Sequence, residues 1–151
     1  MVEETTNEVT LFTRPRRFGK TLMMSMMENF FSIQKGDSHD LFEGLSIMEH
    51  KDFCDEWMNQ YPVLLVTLKG VEGLSFEEAY KTLQVKLSDL CKTHKFLMES
   101  DKVDTADKKV FQSFVNQEAS LANIKGSLKT IMRMMDAHYG KQVILLIDEY
   151  D

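Results

Sequence analysis

Two stretches of the chain are apolar without interruption: Val63-Leu64-Leu65-Val66, entered through Pro62, and Val143-Ile144-Leu145-Leu146-Ile147, which ends at Asp148. A strand with one wet face alternates, so continuous runs predict strands covered on both faces, as in a parallel sheet under helices. A third stretch, Val9-Thr10-Leu11-Phe12-Thr13, is rich in β-branched residues and stops at Arg14-Pro15, where the proline bars the helical region to the residue before it. This pattern predicts a first strand over 9–13, ahead of a second over 63–66 and a third over 143–147.

Between these runs the apolar period changes to that of a helix. From Lys20 to about Ile33, residues Met23, Met27, Phe30 and Phe31 fall on one face, and Leu22 and Met26 widen it, which predicts a helix buried on more than one side. Ser75-Phe76-Glu77-Glu78 is a capping box, and Ala79, Leu83, Leu87, Leu90 and Leu97 carry one face onward for some six turns. A shorter helix is expected around Val110 to Val115, and another from Ser120 through Leu121, Ile124, Leu128, Ile131 and Met135, closing at Gly140. Trp57 and Tyr61 are assigned to a small helix before the second strand, and the acids between 99 and 107 to a solvated turn. Buried strands alternating with helices predict an α/β fold with a parallel sheet, whose ligands bind at the carboxyl ends of the strands.

Composition narrows the class. The chain of 151 residues is 43% hydrophobic, enough to fill one core without disulfides or metal, and its 7 Gly and 2 Pro exclude collagen-like or linker-rich chains. The apolar runs are far shorter than the ~20 residues of a membrane span, and the acidic, polar start Met1-Val2-Glu3-Glu4 does not read as a secretory signal, so a cytoplasmic, membrane-free protein is expected. Cys54 and Cys91 are too far apart for a C-x-x-C motif and are read as reduced core residues. The 11 Met are read as adaptable core filling. His39, His50, His94 and His138 show no metal spacing and are taken as structural or exposed.

Chemistry concentrates behind the first run, in Thr13-Arg14-Pro15-Arg16-Arg17-Phe18-Gly19-Lys20-Thr21. Gly19-Lys20-Thr21 is the G-K-[ST] end of a phosphate-binding loop set between a strand and a helix. Glycine lets backbone amides approach phosphate oxygens, the helix N-terminus adds positive potential, lysine reaches the β/γ-phosphates and the threonine hydroxyl can ligate Mg²⁺. The loop's usual first glycine is replaced by Arg14. A second element supports the first: Ile144-Leu145-Leu146-Ile147-Asp148-Glu149 is an apolar strand ending in two acids, as a Walker B motif does. There an aspartate can hold Mg²⁺ through water and the next glutamate can activate the attacking water.

These segments, together with Met24-Ser25-Met26, Leu68-Lys69-Gly70-Val71, Leu74-Ser75-Phe76-Glu77-Glu78-Ala79-Tyr80 and Ile147-Asp148-Glu149-Tyr150-Asp151, resemble the AAA-ATPase-like domain of bacterial proteins that carry a PD-(D/E)XK nuclease-like domain further on. In that family the Arg-Pro-Arg-Arg-Phe-Gly-Lys-[Ser/Thr] form of the loop is usual. The resemblance spans nearly the whole chain and implies a P-loop NTPase of the AAA/ASCE type: a three-layer parallel sheet flanked by helices, with strand order fifth, first, fourth, third, second. On that reading residues 1–151 are one partial domain, Walker A over 14–21 and Walker B over 143–149, truncated after the Walker B strand and with no second domain. The sheet is then expected either to close by pairing strands one and three or to leave unpaired edges.

The resemblance further implies ATP and Mg²⁺ as cofactors. Lys20 and Thr21 take the phosphate and Mg²⁺ roles, Asp148 the second Mg²⁺ role and Glu149 the catalytic one, with Arg16, Arg17, Phe18 and Gly19 completing the nucleotide contacts. ATP hydrolysis in the complete protein would be coupled to the nuclease-like domain, through which alone nucleic acid is expected as a partner; an oligomer is possible. The runner-up is a non-hydrolysing remnant that acts as a protein-interaction module. The net charge of −6, from 18 Lys+Arg and 24 Asp+Glu, hides one basic loop, since no acid occurs from Val9 to Met27 while Arg14, Arg16, Arg17 and Lys20 do. Three readings of the arginines stay open: phosphate contact, a solvated or salt-bridged surface loop, and nucleic-acid contact.

Overall fold

A computed structural model of the chain describes residues 9–13, 15 and 17–149. The two continuous apolar runs form β1 (Val63–Thr67) and β2 (Ile144–Asp148), paired in parallel with Val63 opposite Ile144 and Thr67 opposite Asp148. Parallel partners share a face, so this register sorts the side chains into two sets. Val63, Leu65, Ile144 and Leu146 join Phe30 and Phe31 of α1 (Lys20–Phe31), Phe42 of α2 (His39–Phe42), and Cys54 and Trp57 of α3 (Lys51–Trp57). Leu64, Val66 and Leu145 join Leu87 and Cys91 of α4 (Phe76–Thr93), Phe111 and Phe114 of α5 (Thr105–Val115), Ile124 of α6 (Leu121–Lys125), and Ile131, Met134 and Met135 of α7 (Ser127–Tyr139). Helices thus cover both faces, which is why residues 63–66 and 144–147 are unbroken apolar runs. The result is a mixed α/β structure built on a small parallel sheet.

One side chain fixes α1 to this sheet. Asn59 holds a left-handed backbone (φ 54°), which asparagine tolerates better than most residues. Its Nδ2 donates to the carbonyls of Asn29 at 3.1 Å and Ser32 at 2.9 Å, and its Oδ1 accepts from Ser38 N–H at 3.0 Å. Backbone bonds from Asn59 N–H to Phe30 O and from Tyr61 N–H to Phe31 O continue the attachment. The C-terminal end of α1 therefore lies where the chain enters β1. A helix of 12 residues is about 18 Å long and a strand of 5 about 16 Å, so α1 carries its first residue, Lys20, toward the carboxyl ends of β1 and β2.

The helices start where their caps predict. Ser75 accepts from Glu78 N–H, while the Glu78 carboxylate takes Leu74 N–H, one residue earlier than the capping box requires. Asp104 and Ser120 cap α5 and α6 in the same way. Cys54 and Cys91 are buried and unpaired, as expected of core residues. Burial pushes the Cys91 thiol up to about 12, which keeps it neutral and unreactive.

Several expectations are corrected. Residues 9–13 are not a strand, and Val9 and Leu11 stand 85% and 75% exposed. β-propensity needs a neighbouring strand, and among the described residues β2 pairs with β1 alone, so strands one and three do not close the sheet. The edge of β2 away from β1 accordingly has no strand partner among the described residues. The helix from Lys20 ends at Phe31 and buries one side only; Leu22 and Met26 are exposed, and Met24 takes part in the core beside Met27. The six-turn helix stops at Thr93 and passes through His94 into a 3-10 turn, Lys95–Met98, which buries Leu97. The stretch from Ser120 is two helices, α6 and α7, broken at Gly126, and α5 begins at Thr105, earlier than Val110. Trp57 closes α3, whereas Tyr61 lies beyond it and stacks on Trp57 at 4.9 Å. The acids of 99–107 are not all solvated turn, because Asp107 sits in α5 and ties it to α7.

That tie is bidentate. Arg133 Nε and Nη2 donate to the two Asp107 oxygens at 2.8 and 2.6 Å, and the guanidinium holds the Asp107 carboxyl below its usual range. A depressed carboxyl stabilises the fold above its unfolded pKa of about 3.9 and loses that contribution as pH falls through the folded value. Because Arg133 is half exposed, Asp107→Asn should cost no more than about 1 kcal/mol at pH 7, and the gap to wild type should close in urea melts run at progressively lower pH below 4. Asn59→Ala removes several hydrogen bonds and leaves a β-carbon in a left-handed backbone. It should lower stability by about 2–3 kcal/mol, read as a shifted urea midpoint with unchanged slope.

Candidate phosphate-binding site

Among the sequence-expected site residues, Arg14 and Arg16 lie outside the described residues. The rest of the loop makes a compact turn. Phe18 N–H donates to Pro15 O at 3.3 Å, and Arg17 and Gly19 both take positive φ, 67° and 75°. Gly19 is the residue that caps α1, and Met23 N–H donates to its carbonyl at 2.9 Å. A β-carbon built on Gly19 would meet nothing within 4 Å, so glycine is needed here for backbone conformation, not for space. Lys20 opens α1, and Thr21 follows in its first turn, exposed.

The start of α1 differs from those of α4, α5 and α6, which each carry a side-chain cap. Among the described residues no side chain caps α1, and its first turn holds no acid. A helix start without such a cap presents N–H groups and positive potential to an incoming anion. Arg17, Phe18 and Gly19 line the approach and are exposed, Phe18 by 65%.

At the same end of the sheet, Asp148 is the last residue of β2 and only 7% exposed. Its Oδ1 accepts from Glu149 N–H at 3.0 Å, and its carbonyl accepts from Leu68 N–H at 3.0 Å, which ties the strand end to the β1 side. Glu149 is exposed and turns the chain with φ 57°. The pair therefore divides into one sheltered carboxylate fixed by the sheet and one carboxylate open to solvent. A buried acid at a strand end is costly without a compensating cation or hydrogen bonds, and among the described residues the Asp148 side chain accepts one bond, from the next residue.

The other candidates stay structural. His94 Nδ1 lies 2.9 Å from Leu90 O and from Thr93 Oγ1, and His138 Nδ1 lies 2.7 Å from Ser100 Oγ; His39 and His50 are exposed. Among the described residues no group of three or more His, Cys, Asp or Glu could hold a metal, and no helix is long and apolar enough to cross a membrane. A cleft of about 710 Å³ lies beyond the C-terminal end of α1, lined by Ile33, Asp37, Cys54 and Asn59 among others, and involves none of the motif residues. A second, of about 510 Å³, lies beside β1 and involves neither the glycine-lysine loop nor the Asp148-Glu149 pair.

No curated protein and no solved structure gives a significant match to the chain. A family model, AAA-ATPase_like, described as Predicted AAA-ATPase, matches residues 1–151. Since that match spans the whole chain, including the glycine-lysine turn and the acids at the end of β2, the chain belongs to the AAA-ATPase-like family.

Proposed function

We propose that the chain binds ATP with Mg²⁺ at the start of α1 and the end of β2, as part of a P-loop, three-layer α/β domain that hydrolyses ATP in the complete protein. The observation that carries this reading is that Gly19-Lys20-Thr21 opens a helix which no side chain caps among the described residues, at the same end of the parallel sheet as the sheltered Asp148. The direct pairing of β1 with β2 supports it, because the strand order implied by the resemblance puts the second strand beside the third. Family membership supports an ATP-related role.

The available donors suit Mg²⁺. A carboxylate and a hydroxyl are hard oxygen ligands, and two protein ligands are what a cation needs when phosphates and water fill its remaining positions. Thr21 and Asp148 would hold it, and when bound it would neutralise charge on the β/γ-phosphate oxygens. Lys20 would place its ammonium on the same oxygens, and the amides of the turn through Gly19 would cradle them. Glu149, solvent-open and adjacent to Asp148, would accept the proton of the attacking water. Arg16 and Arg17 would supplement the phosphate contacts. Coupling of turnover to a nuclease-like domain belongs to the same reading.

One observation favours the non-hydrolysing alternative: Leu22 and Met26, one turn apart on α1, are exposed apolar residues, as is Phe18 in the turn before the helix, and a protein partner could cover them. Calorimetric titration with Mg·ATP and a phosphate-release assay separate the two. Lys20→Ala should weaken nucleotide binding by about a hundredfold, while Glu149→Gln should bind normally and lose turnover. Normal binding by Lys20→Ala would sink the site assignment. Glutamine at both 16 and 17 tests the arginines, whose phosphate role fails if affinity is unchanged.

A further inference from the structure

The cleft of about 510 Å³ beside β1 belongs to neither motif. It is lined by the consecutive residues 65–68, and a strand seen face-on would contribute only alternate residues, so the cleft runs along the strand's edge. The hydrogen bonding says which edge. Ile144 N–H donates to Pro62 O and Leu68 N–H to Asp148 O, so the even-numbered residues of β1 turn their backbone groups to β2. Val63, Leu65 and Thr67 turn theirs outward. At Val63 the outward N–H is taken up by Gln34 Oε1 at 3.1 Å. Further along, among the described residues, no third strand pairs with Leu65 and Thr67.

Two further features describe what fits there. The floor is apolar, with Leu83, Leu87 and Leu90 of α4 facing Ile124 and Leu128 across the cleft. The rim carries Lys86 and Lys125 from opposite sides, and among the described residues neither ammonium has an ion-pair partner; Asp89, also on the rim, pairs with Lys92 at 3.7 Å. We propose that the outer edge of β1 takes up an extended, acidic and apolar segment of a partner protein as an added strand. Its backbone pairs with Leu65 and Thr67, its apolar side chains enter the cleft, and its carboxylates meet Lys86 and Lys125. A second copy of this chain is disfavoured at this edge, since joining two such edges would bring four ammonium groups together.

The test uses the 151-residue chain and the peptide fluorescein-Gly-Glu-Val-Thr-Val-Glu-Val-amide, labelled at its N-terminal amine and followed by anisotropy. Binding should fall about tenfold or more when two alternate amides of the peptide are N-methylated, the loss expected from two backbone hydrogen bonds. It should fall several-fold with the charge reversals Lys125→Glu, at an exposed position that should leave the melt unchanged, and Lys86→Glu, at a partly exposed one whose melt is recorded alongside, and that difference should shrink as salt rises. Hydrogen exchange at Leu65 and Thr67 should slow in the complex. Equal binding of the N-methylated peptide, or of a lysine-for-glutamate peptide, overturns the proposal, as does no binding at all. If octanoate binds the cleft and the peptide does not, the site is one for small amphipathic acids and the proposal fails. Lys20→Ala should leave peptide binding intact, which keeps this outcome separate from that of the nucleotide site.

Discussion

The register between β1 and β2 is the constraint on which the rest of the chain depends. Val63 and Ile144 meet across about 80 residues of sequence, and the length-dependent entropy of closing so long a loop is on the order of 4 kcal/mol. Burial repays it. Leu64 and Leu146 alone, nearly or fully buried on opposite faces, contribute roughly 1.5–3 kcal/mol each. A slip by one residue would invert both faces of a strand, moving Leu64 from the α4–α7 side to the α1–α3 side. Two cores therefore enforce one register, and that register sets Asp148 level with Thr67 at the carboxyl end of the sheet.

What could be read from the sequence follows from the same physics. Runs 63–66 and 143–147 were legible because burial on both faces demands unbroken apolar residues, and Ser75 because its cap is a local interaction three residues long. Residues 9–13 have the composition of a strand, yet composition reports only how well a residue fits a sheet, not whether a neighbour exists. Gly126 was invisible as a break because the apolar spacing of Leu121, Ile124, Leu128 and Ile131 continues through it. Asn59 was missed for another reason: its partners Asn29, Ser32 and Ser38 are 21 to 30 positions away, and nothing local marks such a network. Of the site, the loop end and the strand end were readable as motifs. The shelter of Asp148 against the exposure of Glu149 was not, because it depends on the sheet.

The missing first glycine of the loop bears on this division. A full glycine-rich loop wraps its anion through several left-handed or extended positions, whereas here the described turn places positive φ at Arg17 and Gly19. Arginine in that region costs roughly 1–2 kcal/mol, which the tertiary structure must offset. An arginine that departs from the turn in a left-handed backbone points its guanidinium along a path that a residue in the usual region could not take. Strain and charge then sit on the same residue.

Charge distribution ties the two candidate surfaces together. The net charge of −6 opposes the long-range approach of any anion, so a polyanion gains nothing from the protein as a whole. Within a screening length of about 8 Å at physiological salt only local charge counts, and both candidate surfaces carry cations: Arg17 and Lys20 at the start of α1, Lys86 and Lys125 on the rim of the β1 cleft. Raising salt weakens the general repulsion and the local attraction together, but the local contacts are shorter and less screened where apolar walls exclude water. Those walls differ. At the start of α1 the described residues Arg17, Phe18 and Gly19 are exposed, so an anion there would keep much of its hydration. The cleft has leucines beneath its lysines, and there a carboxylate must arrive attached to something apolar.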